Sequence, residues 1–427
     1  MTRSTRAGLA AGAIVLLVLA VAAGRDHCAL RRPGPPEVTL AAWSAEALLA
    51  GAGSAPMEVP FPAVVAGYGL PRASVSATSV PVRARALVLQ SGAVRAGVVT
   101  LDLLVGDRSL EDEIRAGVAD LRLGDLWVAV THTHSGPGAY ASNPVTEVAG
   151  TGLLRRPVRR AVVSAAVGAL HAAARSLSPV TLRSGVGAVP ELVGARSSPA
   201  EVDVRLSRLV LDGRSGPLAQ LLVLACHPTL VPRPPAGLDP DWPGRLADAE
   251  QAAGHGVTLV LQGAVGNAST ALLEPNGERL QRFLAELGRG VDGLALSPVP
   301  PGLGIARASV SLPGPDASRL VPPLARPLLD NVLCAAAPLR AEVGILRVGP
   351  LVLLGVPAEP TAAAGRRLED AAGALRVVSL VNGYLGYVET PEHLAALQGE
   401  ADRQLLGPEF LEALGRASRS ARAALPP

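Results

Sequence analysis

The chain has 427 residues, 49% hydrophobic and only 2% aromatic, with a formal charge of +3; this suffices for a sizeable aliphatic core and excludes a disordered chain. So little net charge and so few rings exclude a nucleic-acid surface built on basic stripes or base stacking. All 39 basic residues are arginine, which excludes a lysine Schiff base and a Walker lysine, and the three cysteines (Cys28, Cys226, Cys334) make neither a disulfide framework nor a CxxC metal site.

In chain order, Ala7 to Gly24 is an uncharged apolar run behind two arginines. Its length sits between an export signal and a spanning helix, so residues 1–30 read as a signal peptide or membrane anchor. Either outcome leaves the body exported: secreted, periplasmic, or held on the outer side of a membrane by that helix. Residues 31–40, with Arg31-Arg32-Pro33-Gly34-Pro35-Pro36, read as a stiff linker. Residues 41–427 read as one large domain without an internal repeat.

Within it, Val80 to Leu104 reads as two strands around the Ser91-Gly92 turn. Leu110 to Leu121 reads as a helix, Asp125 to Val130 as a short apolar strand, and Leu154 to Arg175 as a long amphipathic helix. Val204–Asp212 and Leu218–Cys226 form a second hairpin around Gly213–Gly216, and Val257–Leu261 is a buried type of strand. Gly344 to Pro357 is a third hairpin, followed by a helix from Thr361 and a last strand at Val377–Val381. The Pro-rich stretches Val231–Pro243 and Ser297–Gly304 read as loops. The fold class is therefore α/β, with mixed β-sheets flanked by helices.

Polar clusters follow directly on the apolar strands. Thr131-His132-Thr133-His134 follows DLWVAV, and Cys226-His227-Pro228-Thr229 follows LLVLA. Gln262-Gly263 through Gly266-Asn267-Ala268-Ser269 follows VTLVL, Pro357-Ala358-Glu359 follows LVLLGV, and Tyr384 and Tyr387 follow VVSLV. Ligands of open α/β sheets bind at the carboxyl ends of strands. Imidazole and carboxylate are natural zinc donors, and a catalytic zinc keeps one position open. The His132–His134 spacing puts both rings on one face if the strand continues. His227 alone reads equally as a structural residue, Glu359 as a helix-capping acid, and each tyrosine as a core residue with a polar tip.

Together these motifs resemble the neutral/alkaline non-lysosomal ceramidase family. Thr131–Gly138 (THTHSGPG) is similar to its zinc-binding signature, and Ala225–Thr229 followed by Asp241-Trp242-Pro243-Gly244 to its second histidine motif. Gln262–Ser269 is similar to its glycine-rich serine motif, Pro357-Ala358-Glu359 to its glutamate motif, and Asn382–Val388 with Thr390-Pro391-Glu392 to its tyrosine motif. Ala66-Gly67-Tyr68-Gly69 and Arg196-Ser197 match in order. The resemblance is to a short bacterial-type member without the C-terminal β-sandwich domain. It departs at Asn267, where the family usually has Asp, and in lacking tyrosines after Thr390-Pro391-Glu392.

The resemblance implies one zinc ion per chain on His132, His227, Glu359 and Tyr387, with Tyr384 the alternative tyrosine. It implies catalytic roles for Ser269, His134 and Arg196, while Gly263, Gly266 and Tyr384 would lie along the substrate. The implied reaction is hydrolysis of the amide bond of ceramide or a similar amphiphilic N-acyl lipid. Zinc would bring the pKa of a bound water to about 7, His134 and Arg196 would stabilise the oxyanion, and His134 would alternatively pass a proton to the leaving amine. Two alternatives stay open: a zinc hydrolase of a non-sphingoid amide or ester, and a non-catalytic membrane-anchored member of the same fold.

Overall fold

The computed structural model describes residues 31–426, apart from 69–70, 200, 320, 323–325, 327–328, 331–332 and 335–336. The apolar segment 7–24 lies outside the described residues. Among the described residues no helix is long and apolar enough to cross a membrane.

The architecture is mixed α/β around three five-stranded sheets. One sheet carries the antiparallel hairpin Arg83–Ser91/Val94–Leu101, the next Arg205–Gly213/Gly216–Leu224, and the third Arg340–Val348/Leu351–Gly355. In each sheet the second strand of the hairpin leads, through a helix, to a further strand beside it in parallel. Arg108–Gly117 leads to Asp125–Val130, Asp241–Ala252 to Val257–Gln262, and Ala362–Ala372 to Arg376–Val378. Hairpin, helix and parallel strand thus recur three times, a repeat of topology that leaves no trace in the residues. A parallel pair has both carboxyl ends on the same side of its sheet, and those ends lead into the polar clusters.

The sheets are buried on both faces, so their strands read as continuous apolar runs rather than alternating ones. Along Arg83–Ser91, Ala86 and Val88 pack toward the flanking helices, while Leu87 and Leu89 join a core shared by all three sheets. That shared core includes Trp127, Leu211, Leu221, Ile305 and Leu346. Trp127 is inserted at its centre against two glycines of the third sheet. A Cβ on Gly344 would stand 2.8 Å from the indole nitrogen, and one on Gly355 would stand 3.1 Å from the ring.

Several boundaries differ from the sequence reading. Strand structure begins at Glu37, inside the span read as linker, because Glu37–Ser44 pairs with Leu303–Ser311. Ser297–Val299 is a short edge strand and Gly304 lies within Leu303–Ser311; Pro298 is tolerated there because an edge strand need not donate on both sides. The helix Asp241–Ala252 starts before the predicted loop ends, with Pro243 in its first turn, where proline costs no hydrogen bond. The last strand stops at Val378. Leu48–Pro56 and Thr181–Ala188 are further strands whose small residues gave no apolar signal.

One buried acid lies near the tyrosine loop, on the other side of Gly106. Glu111 is buried, and neither carboxylate oxygen has a hydrogen-bond partner. It packs against Gly106, where an added Cβ would stand 2.8 Å from the Gly383 carbonyl oxygen. Burial pushes its pKa up to about 8. The folded state therefore holds this proton more tightly than the unfolded chain does. That stabilisation is complete below the ordinary carboxylate range and is lost as pH rises through 8. Glu111→Gln is expected to be more stable than the parent at pH 9 by a few kcal/mol, since each pH unit between the folded and unfolded pKa values is worth about 1.36 kcal/mol. Near pH 4 the two proteins should be equally stable, by urea midpoints. Trp127→Ala is expected to cost about 3 to 5 kcal/mol in the same assay.

Candidate metal centre

Four strand ends converge on one point. His132 sits two residues beyond the strand Asp125–Val130, at φ 68°. A left-handed conformation is costly for a histidine and marks a constrained position. The strand alternation that would align His132 with His134 is therefore broken, yet both rings reach the site, their centroids 5.0 Å apart. His227 follows the strand Gly216–Leu224, and its loop is tied to the first by the His134 amide donating to the Pro228 carbonyl. Glu359 and Tyr387 are direct neighbours in a short parallel bridge, which explains how residues so distant in sequence meet.

The two buried histidines are fixed in the same way. His132 Nδ1 lies 2.6 Å from the Leu104 carbonyl oxygen, and His227 Nδ1 lies 2.8 Å from that of Ala268. A carbonyl only accepts, so each Nδ1 carries the proton and each Nε2 turns a lone pair inward. Both face the same carboxylate oxygen: Glu359 Oε2 is 3.2 Å from His132 Nε2 and 3.3 Å from His227 Nε2. Tyr387 Oη is 3.4 Å from His227 Nε2. For metal–ligand bonds of about 2.0 to 2.1 Å, the donors of a tetrahedral zinc site stand about 3.3 Å apart. His132 Nε2 and Glu359 Oε2 are buried with no hydrogen-bond partner. Acceptors facing one another in a buried site call for a cation between them, and the residues fit one.

His134 completes the imidazole group. Its Nδ1 lies 2.9 Å from the Gly67 carbonyl oxygen, and its Nε2 is buried and unpartnered. Ligand atoms of His132, His134 and His227 lie within 4.8 Å of one another and can hold a metal ion. The tight separations nevertheless belong to His132, His227, Glu359 and Tyr387. Burial lowers the pKa of His227 to about 4, against the pull of the neighbouring Glu359. Burial and the neighbouring imidazoles hold His134 well below its ordinary range. Burial pushes Glu359 up, but the influence of His132 and His227 beside it prevails and holds it well down. Neutral rings beside an ionised carboxylate are the states that ligate metal.

The tyrosines divide the work. The Tyr384 hydroxyl donates to Glu359 Oε1 at 2.8 Å, leaving Oε2 for the imidazoles; burial, Glu359 and Tyr387 keep its phenol protonated, well above the ordinary range. Arg196 donates through Nε and Nη2 to Glu400, through Nη2 to the Gly266 carbonyl and Tyr387 Oη, and Nη1 stands 3.0 Å from His227 Nε2. Its donors are spent on the protein, so it holds the site together. Gly263 and Gly266 also have packing duties. A Cβ on Gly263 would stand 2.7 Å from Arg376 Nη2, and one on Gly266 would stand 2.6 Å from the Glu359 carbonyl oxygen. Ser269 is half-buried in a short strand opposite Gly194, one residue beyond the carbonyl that orients His227. It is not among the described residues lining the cavity at the centre. Asn267 binds the Glu201 carbonyl and caps the helix Ala362–Ala372 through the Ala362 amide.

That cavity, of about 320 Å³, is lined by His132, His134, Glu359, Tyr384 and Tyr387 on one side, with an apolar wall that includes Leu104, Leu333, Leu385 and Leu406. Two contributors had no sequence signal. Glu400 and Arg403 lie in an ordinary polar stretch and matter only through the partners that folding gives them.

The family model for neutral/alkaline non-lysosomal ceramidase, N-terminal, matches residues 51–201. Curated proteins offer no match. The structure of neutral ceramidase from Pseudomonas aeruginosa is similar at a TM-score of 0.76 and 20% identity, covering 89% of this chain and 75% of that one. A structure described as ceramidase complexed with C2 is similar at 0.75 and 20%, covering 89% and 76%. Glu359→Gln is expected to abolish metal binding, measured as zinc affinity against a competing chelator. Tyr384→Phe is expected to retain the ion with affinity about 10- to 100-fold lower.

Proposed function

We propose that this chain, whose residues 51–201 match the neutral/alkaline non-lysosomal ceramidase family model and whose fold is similar to that of a neutral ceramidase, is a zinc-dependent hydrolase of the amide bond in ceramide or a similar N-acyl lipid. The observation that carries this reading is the meeting of His132 Nε2, His227 Nε2 and Glu359 Oε2 at 3.2 to 3.3 Å, beside an apolar cavity. In this reading His132, His227, Glu359 and Tyr387 hold one zinc ion. A bound zinc supplies Lewis acidity and brings the pKa of water to about 7.

The rest falls to the chain's own residues. The apolar wall takes the acyl chain and excludes water from the reacting carbonyl. His134 has its proton on Nδ1, toward Gly67, and a free Nε2 at the cavity. It accepts a proton at Nε2 as attack proceeds and returns it to the departing amine. Tyr384 keeps Glu359 in one orientation, and Arg196 keeps Tyr387 in place. Ser269 is the candidate second nucleophile of this reading, positioned by the same strand as the Ala268 carbonyl. Export belongs to the proposal too: the apolar segment 7–24 precedes the domain, and Cys334 is disulfide-bonded, a bond that persists in oxidising compartments.

The test measures metal content alongside fatty-acid release from a fluorescent ceramide. About one zinc per chain is expected. Chelation should remove activity, and added zinc should restore it. Undiminished turnover by metal-stripped protein would overturn the zinc role, and no turnover of any N-acyl lipid by zinc-loaded protein would overturn the hydrolase reading.

A further inference from the structure

The metal-side cavity carries one arginine in its lining. Glu359 is the only acid among the described residues that line it, and Arg403 is the only arginine. Arg403 is half-exposed, with its guanidinium carbon 5.7 Å from the centroid of the Tyr387 ring. Its Nε is 3.1 Å from Glu400 Oε2, and its two terminal nitrogens make no hydrogen bond among the described residues. The same Glu400 carboxylate already receives Arg196 at 3.0 Å on both oxygens. One carboxylate therefore serves two guanidiniums, and the one with free N–H groups faces the cavity. A second cation lies nearby. Arg233 stacks 3.2 Å from the centroid of the Tyr68 ring, which packs 5.3 Å from the His134 ring, and it has no ion pair among the described residues.

Arg403 lines the same cavity as the His–Glu cluster, and its half-exposed spare donors are open to a substrate group there. A guanidinium fork suits a carboxylate or phosphate, which it binds in two-point fashion. We propose that Arg403 is a specificity-determining residue, and that the preferred substrate is an N-acyl lipid bearing an anionic group on its amine portion, a few bonds from the amide. The acyl chain would lie on the apolar wall, the amide at the His–Glu cluster, and the anion on Arg403. This rests on the hydrolase reading above and narrows its substrate class.

The experiment compares kcat/KM of the zinc-loaded parent, Arg403→Gln and Arg403→Lys on N-palmitoylglycine, on a ceramide carrying a phosphate, and on the neutral ceramide. The parent should favour at least one anionic substrate over the neutral one, and which one identifies the carboxylate or phosphate source. Arg403→Gln should lower that preference ratio about 10- to 100-fold, as expected for a hydrogen bond to a charged group, mainly through KM. Arg403→Lys should recover part of it. A ratio that Arg403→Gln leaves unchanged, or a parent that favours neutral ceramide, overturns the inference while leaving the hydrolase reading intact. If no N-acyl lipid is cleaved, the hydrolase reading fails instead. Direct binding of N-palmitoylglycine then decides: weakening by the same factor in Arg403→Gln supports the residue's role, and equal binding overturns it.

Discussion

Three acceptor atoms forced to face one another organise this molecule. Two imidazole lone pairs and a carboxylate oxygen meet in a buried pocket with no hydrogen between His132 Nε2 and Glu359 Oε2. In a low-dielectric interior such an arrangement is repulsive unless a cation occupies it. The surroundings relieve it only at His227, where Arg196 Nη1 stands 3.0 Å from Nε2, and leave His132 Nε2 and Glu359 Oε2 without a partner. Carbonyl oxygens of Leu104 and Ala268 keep the ring protons on the far nitrogens, and Tyr384 occupies the other carboxylate oxygen. The orienting partners thus enforce the charge state that a metal requires.

Holding those atoms in place is the work of the aliphatic core. Side chains from all three sheets share one cluster, so shifting any sheet would disturb the others. Trp127, the large ring at its centre, sits against glycine backbones of the third sheet. It stands on the same strand that ends just before His132. Interior packing at near-crystalline density transmits such constraints over the length of a strand. The left-handed backbone at His132 is tolerated because this framework fixes both ends of its loop.

A layer of charge surrounds the neutral rings. Glu400 gathers Arg196 and Arg403 on one side. Arg196 in turn ties the Gly266 loop to Tyr387. This leaves a cavity that is apolar along most of its wall and polar only where chemistry would occur, the usual division of labour in small-molecule sites. The glycines of the serine motif belong to the framework: their missing side chains let the loop press against the Glu359 strand and the Arg376 guanidinium.

The sequence by itself determined the α/β class, the three hairpins and the helices between them, because apolar runs and turn residues are local signals. It also determined which polar residues follow strands, and so the short list from which the centre is drawn. It missed Leu48–Pro56 and Thr181–Ala188, where packing against neighbours, not side-chain apolarity, makes the strand. Only the tertiary structure decided which tyrosine stands beside His227 and which orients Glu359, because Tyr384 and Tyr387 differ only in the register of one two-residue bridge. Only it gave Gly263, Gly266 and Arg196 their packing and hydrogen-bond partners, and gave Glu400 and Arg403 their meaning. Those roles depend on distances between residues far apart in the chain. Such distances are set by how three sheets pack together, and no periodicity along the chain encodes them.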